Sequence, residues 1–258
     1  MAEDKHKIME ALVLQLNEAS DAYYNGKGEA MTDFEWDAAF DRLKALEEEL
    51  GEVLPNSPTN SVSADKLKGQ KEVHEYPALS LAKTKSETEL AKWAEERPIW
   101  LSWKLDGLTL VVTYDNGKLT KVVTRGNGHI GTNITHLAAA IDNILPTVKA
   151  NGHIVIRGEA VISYAVGIFL FEQFNLESEE EYANPRNLAS GSLTLKDINE
   201  VKARHLRWIP FSLVHTDEEI ISWGDRMAFL DKLGFNTVER ELITLPTAEN
   251  IEKVIATW

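Results

Sequence analysis

Leu108-Thr109-Leu110-Val111-Val112-Thr113-Tyr114-Asp115-Asn116-Gly117-Lys118-Leu119-Thr120-Lys121-Val122-Val123-Thr124-Arg125 is the stretch that decides the fold class. Two β-rich runs, Leu108 to Tyr114 and Lys118 to Arg125, flank Asp115-Asn116-Gly117. Asn-Gly between such runs is the strongest short-range signal for a tight hairpin, so an antiparallel sheet is expected here. Outward from it, Ile99 to Trp103 reads as a strand on one side and His153 to Ile162 as a strand on the other. Ser86-Glu87-Thr88-Glu89 caps a short helix carrying Leu90 and Trp93. Asn133 to Leu145 reads as a helix stopped by Pro146, with Ile134, Leu137, Ala138, Ile141 and Leu145 on one face. Beyond lie a helix near Tyr164 to Phe174, an acidic run from Glu177 to Glu181, a small-residue segment through Ser192, a strand at Leu206 to Val214, and two helical stretches ending at Trp258.

The N-terminal quarter differs. Residues 6 to 24 carry Ile8, Leu12, Leu16, Ala19 and Tyr23 at helical spacing, and Asn25-Gly26-Lys27-Gly28 breaks the pattern. Thr32-Asp33-Phe34-Glu35 is a capping box opening a second helix, with Trp36, Phe40, Leu43 and Leu50 on one side and Gly51 at its end. Pro55-Asn56-Ser57-Pro58-Thr59 is a turn-rich linker. The fold class is therefore α+β: a helical hairpin domain over residues 1–68, then a domain with antiparallel sheets over residues 69–258.

Composition narrows the function. With 258 residues and 43% hydrophobic side chains, the chain can bury a real core. It has no cysteine, which removes disulfides, thiol nucleophiles and thiolate zinc sites. No apolar run approaches the ~20 residues of a membrane span, and the N-terminus lacks a signal-peptide core, so a cytoplasmic protein is expected. The 41 acidic and 27 basic residues give a net charge of −14, which repels polyanions. If the protein works on nucleic acid, a local basic surface or another chain must supply most phosphate contacts.

Three segments pair a charged side chain with a glycine that lets backbone approach a ligand: Lys104-Leu105-Asp106-Gly107, Thr124-Arg125-Gly126-Asn127-Gly128 and Arg157-Gly158-Glu159. An extended strand through Leu101-Ser102-Trp103-Lys104-Leu105-Asp106-Gly107 would put Lys104 and Asp106 on one face, with Leu101, Trp103 and Leu105 packed on the other. Singly these are a solvated lysine, a turn arginine and an ion-paired glutamate. In this order they resemble the motifs of the covalent nucleotidyltransferases, the polynucleotide ligases and capping enzymes.

Further segments narrow the resemblance to bacterial-type NAD-dependent DNA ligases. They are Tyr23-Tyr24 with Asp33-Phe34-Glu35-Trp36-Asp37 in the hairpin, Ser57-Pro58-Thr59, Leu79-Ser80-Leu81, Tyr182-Ala183-Asn184-Pro185-Arg186-Asn187 and Ala189-Ser190-Gly191-Ser192-Leu193. The resemblance implies a nucleotidyltransferase domain of the ATP-grasp-like ligase type after the hairpin. It implies Lys104 as the nucleophile that takes AMP from NAD as a phosphoramide, with AMP then activating the 5′-phosphate of nicked DNA in replication and repair. A free lysine has a pKa of about 10.4, and Asp106 favours its charged form. Arg125 and a divalent cation, Mg²⁺, are the positive groups that oppose Asp106. No metal site built from protein ligands is implied. Arg125 and Glu159 would hold the AMP ribose and phosphate, with Ser80, Leu81, Ser102 and Leu105 around the nucleotide and Arg186 near the phosphates or the nicotinamide side. Tyr24, Asn25, Asp33, Trp36 and Asp37 would bind the nicotinamide half. The last three share one helical face, where an aromatic ring and two carboxylates suit a cationic ring.

Some positions depart from the family pattern. Asn25 stands where histidine is usual, Trp36 for tyrosine, Ser102 for glutamate, Asn127 for aspartate and Thr132 for glutamate. A strand motif resembling D-G-V-V-I-K, a further lysine motif and the DNA-gripping modules are not found before Trp258. The expectation is one subunit of a split ligase, like the two-subunit bacteriophage enzymes, whose second chain completes the site and the DNA grip; a recombinant fragment is the other possibility. Two other functions compete: an NAD-binding assembly subunit without chemistry, and a nucleotidyltransferase using ATP, whose families lack the hairpin.

Overall fold

Two packed helices open the chain. α1 (Ala2–Tyr24) and α2 (Asp33–Leu50) bury Met9, Leu12, Val13 and Leu16 against Leu43, with Trp36, Phe40, Leu46 and Leu50 around them. The computed structural model describes residues 2–24, 31–59, 69–79, 82–163, 185–195 and 197–258. The expected break at Asn25 to Gly28, the helix from Tyr164 and the acidic run to Glu181 lie outside these. The buried stripe of α1 runs through Met9 and Val13, whereas Ile8, expected on it, is 37% exposed. Spacings of three and four both keep to one helix face, and the set that meets Leu43 is Met9, Leu12, Val13 and Leu16.

The capping box of α2 forms as its sequence requires. The Thr32 hydroxyl accepts from the Glu35 N–H, the Glu35 carboxylate accepts from the Thr32 N–H, and Gly51 closes the helix at φ 65°. Ser57 and Thr59 then tie the linker back to α2, their hydroxyls donating to the two oxygens of the buried Glu47 carboxylate.

The second region is built on a four-stranded antiparallel sheet in the order β4-β3-β6-β7. Its strands are β3 (Leu108–Asp115), β4 (Lys118–Thr124), β6 (His153–Val161) and β7 (Arg207–Thr216). Asn116 and Gly117, at φ 49° and 77°, make the tight turn that the sequence predicts between β3 and β4. One face of the sheet carries Leu110, Val112, Tyr114, Val122, Ile154, Ile156, Ala160, Trp208 and Leu213, all buried in the main core. By the two-residue period of a strand, Thr109, Val111, Thr113, Lys121, Val123, Val155, Arg157 and Glu159 share the opposite face.

That core also takes in Leu137, Ala138 and Ile141, but not on the expected α-helix. Between Asn133 and Leu145 there is only a 3-10 helix, Thr135–Ala140. Asp142 is drawn off the helical path because its N–H donates to the Leu206 carbonyl and its carbonyl accepts from the Trp208 N–H, each bond replacing a helical one. After the short helix α3 (Glu87–Ala94), the small-residue segment is a helix, α4 (Pro185–Ser192), with proline in its first turn and Leu188 and Ala189 fully buried. α1 packs against it, which joins the hairpin to the sheet domain.

Residues 69–79 form a strap over the opposite face. Strand β1 (Lys71–Val73) pairs with β5 (Ile130–Thr132), and the Ala78 N–H donates to the Gly128 carbonyl. Neither short strand has a local sequence signal. Their partners lie about sixty residues away, as Lys71 pairs with Thr132.

A second polar knot pins the far end of the strap. His153 Nδ1 lies 2.6 Å from the Asp115 carboxylate and Nε2 lies 3.0 Å from that of Glu75 on the strap. The His215 ring stands 5.5 Å away, and Asp217 accepts from the His153 N–H. The bond to Asp115 raises the His153 pKa above its ordinary value, and the same bond lowers that of Asp115. A raised histidine pKa contributes stability that is complete below the unfolded value of about 6.5 and is lost as pH rises through the folded value. Asp115 contributes above the ordinary aspartate range, and its share is lost as pH falls through its lowered value. Thermal melts of the protein and of His153→Gln should therefore differ most near pH 5 to 6 and converge by pH 8.5. A gap that stays constant with pH would show that no titrating contact holds the strap.

Candidate active site

Lys104 lies between two sheets rather than within a strand. Strand β2 (Ile99–Ser102) pairs with β8 (Arg240–Ile243) in a separate two-stranded sheet, and the chain must leave it to enter β3. The expected strand through Gly107 therefore stops at Ser102, opposite Arg240. Trp103 is not packed inside as expected: it is 45% exposed, its indole N–H donates to Glu239, and it meets Trp258 at 5.0 Å. Lys104 and Asp106 are exposed, while Leu105 is half-buried. Gly107 then presses on β6 so closely that a Cβ there would sit 2.2 Å from the Ala160 carbonyl oxygen.

The strand register lines up the other candidates. Thr109 on β3 pairs with Glu159 on β6, and the Arg125 N–H donates to the Thr109 carbonyl at 2.9 Å. Arg125, Thr109 and Glu159 thus form a row across three chain segments. The Thr109 hydroxyl donates to Glu159 Oε2 at 2.8 Å. Glu159 is only 7% exposed, and this burial raises its pKa. The Thr109 bond and the charges of Arg186 and Lys104 pull it down, and Asp106 pushes it up. Lys104, Asp106, Glu159 and Arg186 therefore share one electrostatic neighbourhood. Within it Arg186, from α4, donates to Asp106 at 2.6 Å, so the carboxylate nearest in sequence to Lys104 is paired with a guanidinium.

Two arginines set the strap beside this row. Arg125 donates from Nε to the Ala78 carbonyl at 2.9 Å, and Arg157 donates to the carbonyls of Tyr76 and Pro77 at 3.2 and 2.7 Å. Burial, and secondarily the Arg125 charge, lower the Arg157 pKa. His74, a buried residue of the strap itself, donates to the Arg125 carbonyl, and burial lowers its pKa. The space between strap and sheet is about 130 Å³. Ligand pockets are typically about 300–1,000 Å³.

Trp36 belongs to the hairpin core and offers a ring as well. Its indole N–H donates to Ser20 at 3.3 Å, and it stacks on Phe40 with centroids 4.8 Å apart. Tyr24 ends α1, and Asp33 and Asp37 lie in the first turns of α2. Their side chains, with Asn25, Ser80 and Leu81, fall outside the described residues. Thr109 escaped the sequence reading of the site, although it lies two residues from Gly107, and Arg157 stood in a motif but was given no role. Among the described residues no group of three or more His, Asp or Glu side chains comes together to hold a metal ion. No helix among them is long and apolar enough to cross a membrane.

Residues 68–258 match the family described as NAD-dependent DNA ligase adenylation domain, and residues 2–63 match the DNA ligase-like, N-terminal NAD+-binding domain. The chain is 40% identical over 246 residues to a DNA ligase of Lachnoclostridium phytofermentans, covering 93% of this chain and 37% of the relative. It is 38% identical over 258 residues to a DNA ligase of Ruminiclostridium cellulolyticum, covering 98% and 38%. A Clostridioides difficile DNA ligase is 31% identical over 258 residues, covering 94% and 38%. The chain thus spans somewhat more than a third of the length of these relatives.

Proposed function

Since the chain belongs to the NAD-dependent DNA ligase family through its adenylation domain, we propose that Lys104 is the nucleophile that takes AMP from NAD⁺. The amine nitrogen attacks the α-phosphorus, a P–N bond forms, and the pyrophosphate P–O bond breaks with its electron pair leaving on nicotinamide mononucleotide. The amine loses a proton to solvent. The convergence of Lys104, Asp106 and Arg186 on Glu159 supports this reading. Glu159, its rotamer set by Thr109, is placed to bond the ribose hydroxyls. Arg125, held at both backbone and side chain, is assigned to the phosphate side.

A magnesium ion fits this donor set only as one carried on the substrate phosphates, with the exposed Asp106 as its protein contact. Bound there it would neutralise phosphate charge in the transition state. In the hairpin, Trp36 together with Tyr24, Asn25, Asp33 and Asp37 is assigned to the nicotinamide half. Ser102, Leu105, Ser80 and Leu81 are assigned to the adenosine half. The domain boundary is placed at residues 68 and 69. The grip on nicked DNA is assigned to polypeptide other than these residues, in a second chain of a split ligase, because a net charge of −14 repels a phosphate backbone.

Incubated with NAD⁺ and Mg²⁺, the chain should gain the mass of one AMP by mass spectrometry, and ATP should not substitute. No gain, whether alone or with a candidate partner chain, would overturn the reading.

A further inference from the structure

Lys83 lies just beyond the strap and reaches across to the hairpin. Its ammonium stands 5.8 Å from the Trp36 ring centroid and 5.9 Å from that of Phe40. Both distances fall within the range, about 6 Å, over which a cation is attracted to an aromatic face. Trp36 and Phe40 are four residues apart on α2, stack with 17° between their planes, and are held from behind by the hairpin core and by the bond to Ser20. The platform is thus rigid, and a cation from the other domain already covers it.

The proposed function assigns this platform to a nicotinamide ring, itself a planar cation. Two like charges on one aromatic surface repel, and an ammonium over the rings occupies the volume that a stacked ring needs. We infer that Lys83 is a built-in competitor for the nicotinamide face of the hairpin: it covers the Trp36–Phe40 platform, and the nicotinamide ring must displace it to bind. This rests on the assignment of the nicotinamide half to the hairpin. After transfer, return of Lys83 speeds release of nicotinamide mononucleotide.

Calorimetric titration of the full chain with nicotinamide mononucleotide provides the test. Lys83→Met should bind about two- to fivefold more tightly than the unaltered protein, the range expected for removing one exposed cation–π contact. Lys83→Arg, which keeps a cation over the rings, should bind as the unaltered protein does. Unchanged or weaker binding by Lys83→Met overturns the inference, and weaker binding would mean that Lys83 contacts the ligand phosphate instead. Trp36→Phe, which preserves an aromatic residue in the hairpin core, separates the two levels. If Trp36→Phe weakens binding and Lys83→Met does not improve it, the nicotinamide assignment stands and the competitor role falls. If the unaltered protein does not bind, or Trp36→Phe leaves binding untouched, the platform is not the site and both fall.

Discussion

Lys104→Ala should leave a folded protein that no longer acquires AMP from NAD⁺. The side chain is exposed, in the segment that crosses from one sheet to the other, and no core contact depends on it. Surface substitutions of this kind change stability by about 0.5 kcal/mol or less. The chemistry is another matter, because no other group in the row of Arg125, Thr109 and Glu159 is an amine. Removing the proposed nucleophile should lower the rate of adduct formation by at least about 10³-fold. Lys104→Arg should fail as completely, since a guanidinium keeps its proton at any working pH. Intact-mass measurement after incubation with NAD⁺ reads both variants. An adduct of undiminished yield in Lys104→Ala would move the nucleophile elsewhere.

Gly107→Ala should damage both stability and chemistry. The added Cβ would lie 2.2 Å from the Ala160 carbonyl oxygen and 2.8 Å from a methyl of Val161. A backbone oxygen held in the β3–β6 pairing cannot rotate aside as a side-chain tip can. Overpacking of this kind costs about 1–3 kcal/mol. For a domain of this size that corresponds to roughly 2–4 °C in melting temperature per kcal/mol. The strain is relieved most easily by moving the segment from Trp103 to Asp106, which carries the proposed nucleophile. Misplacement of a reacting group by about 1 Å is worth on the order of 10²-fold in rate. Adduct formation should therefore slow far more than the melting shift implies. A variant with unaltered melting and rate would show that the close approach to β6 does not position Lys104.

Elements with local signals were legible in the sequence. The box at Thr32 and Glu35, the cap at Ser86 and the Asn116-Gly117 turn each need only residues within a few positions of one another. Elements decided at long range were not. β1, β5 and β8 are three or four residues long, and each exists because a distant strand satisfies its backbone. The apolar spacing after Asn133 is helical in period, yet the bonds from Asp142 to Leu206 and Trp208 divert it. Trp93, which the sequence places on a short helix, is 68% exposed there, and Ala94 takes the core position. The candidate site shows the same division. Lys104, Asp106, Arg125 and Glu159 stand in motifs that can be read linearly, and the structure brings Arg186 to them. The roles of Thr109, Arg157 and Lys83 become visible only once register and strap are known.

The separation of Lys104 from its supports also fixes when the candidate site can exist during synthesis. Trp103, beside Lys104, bonds to Glu239 across a gap of 136 residues, and Asp106 bonds to Arg186 across a gap of 80. The β3–β4 turn can close as soon as it leaves the ribosome, but the strand preceding Lys104 must wait for β8. At about 5–20 residues per second, that delay is on the order of ten seconds. Over that interval the nascent chain carries the lysine and most of the sheet without a finished pocket. Long-range closure of this kind is slow to fold. The proposed ability to accept AMP therefore cannot arrive before β8 has been made.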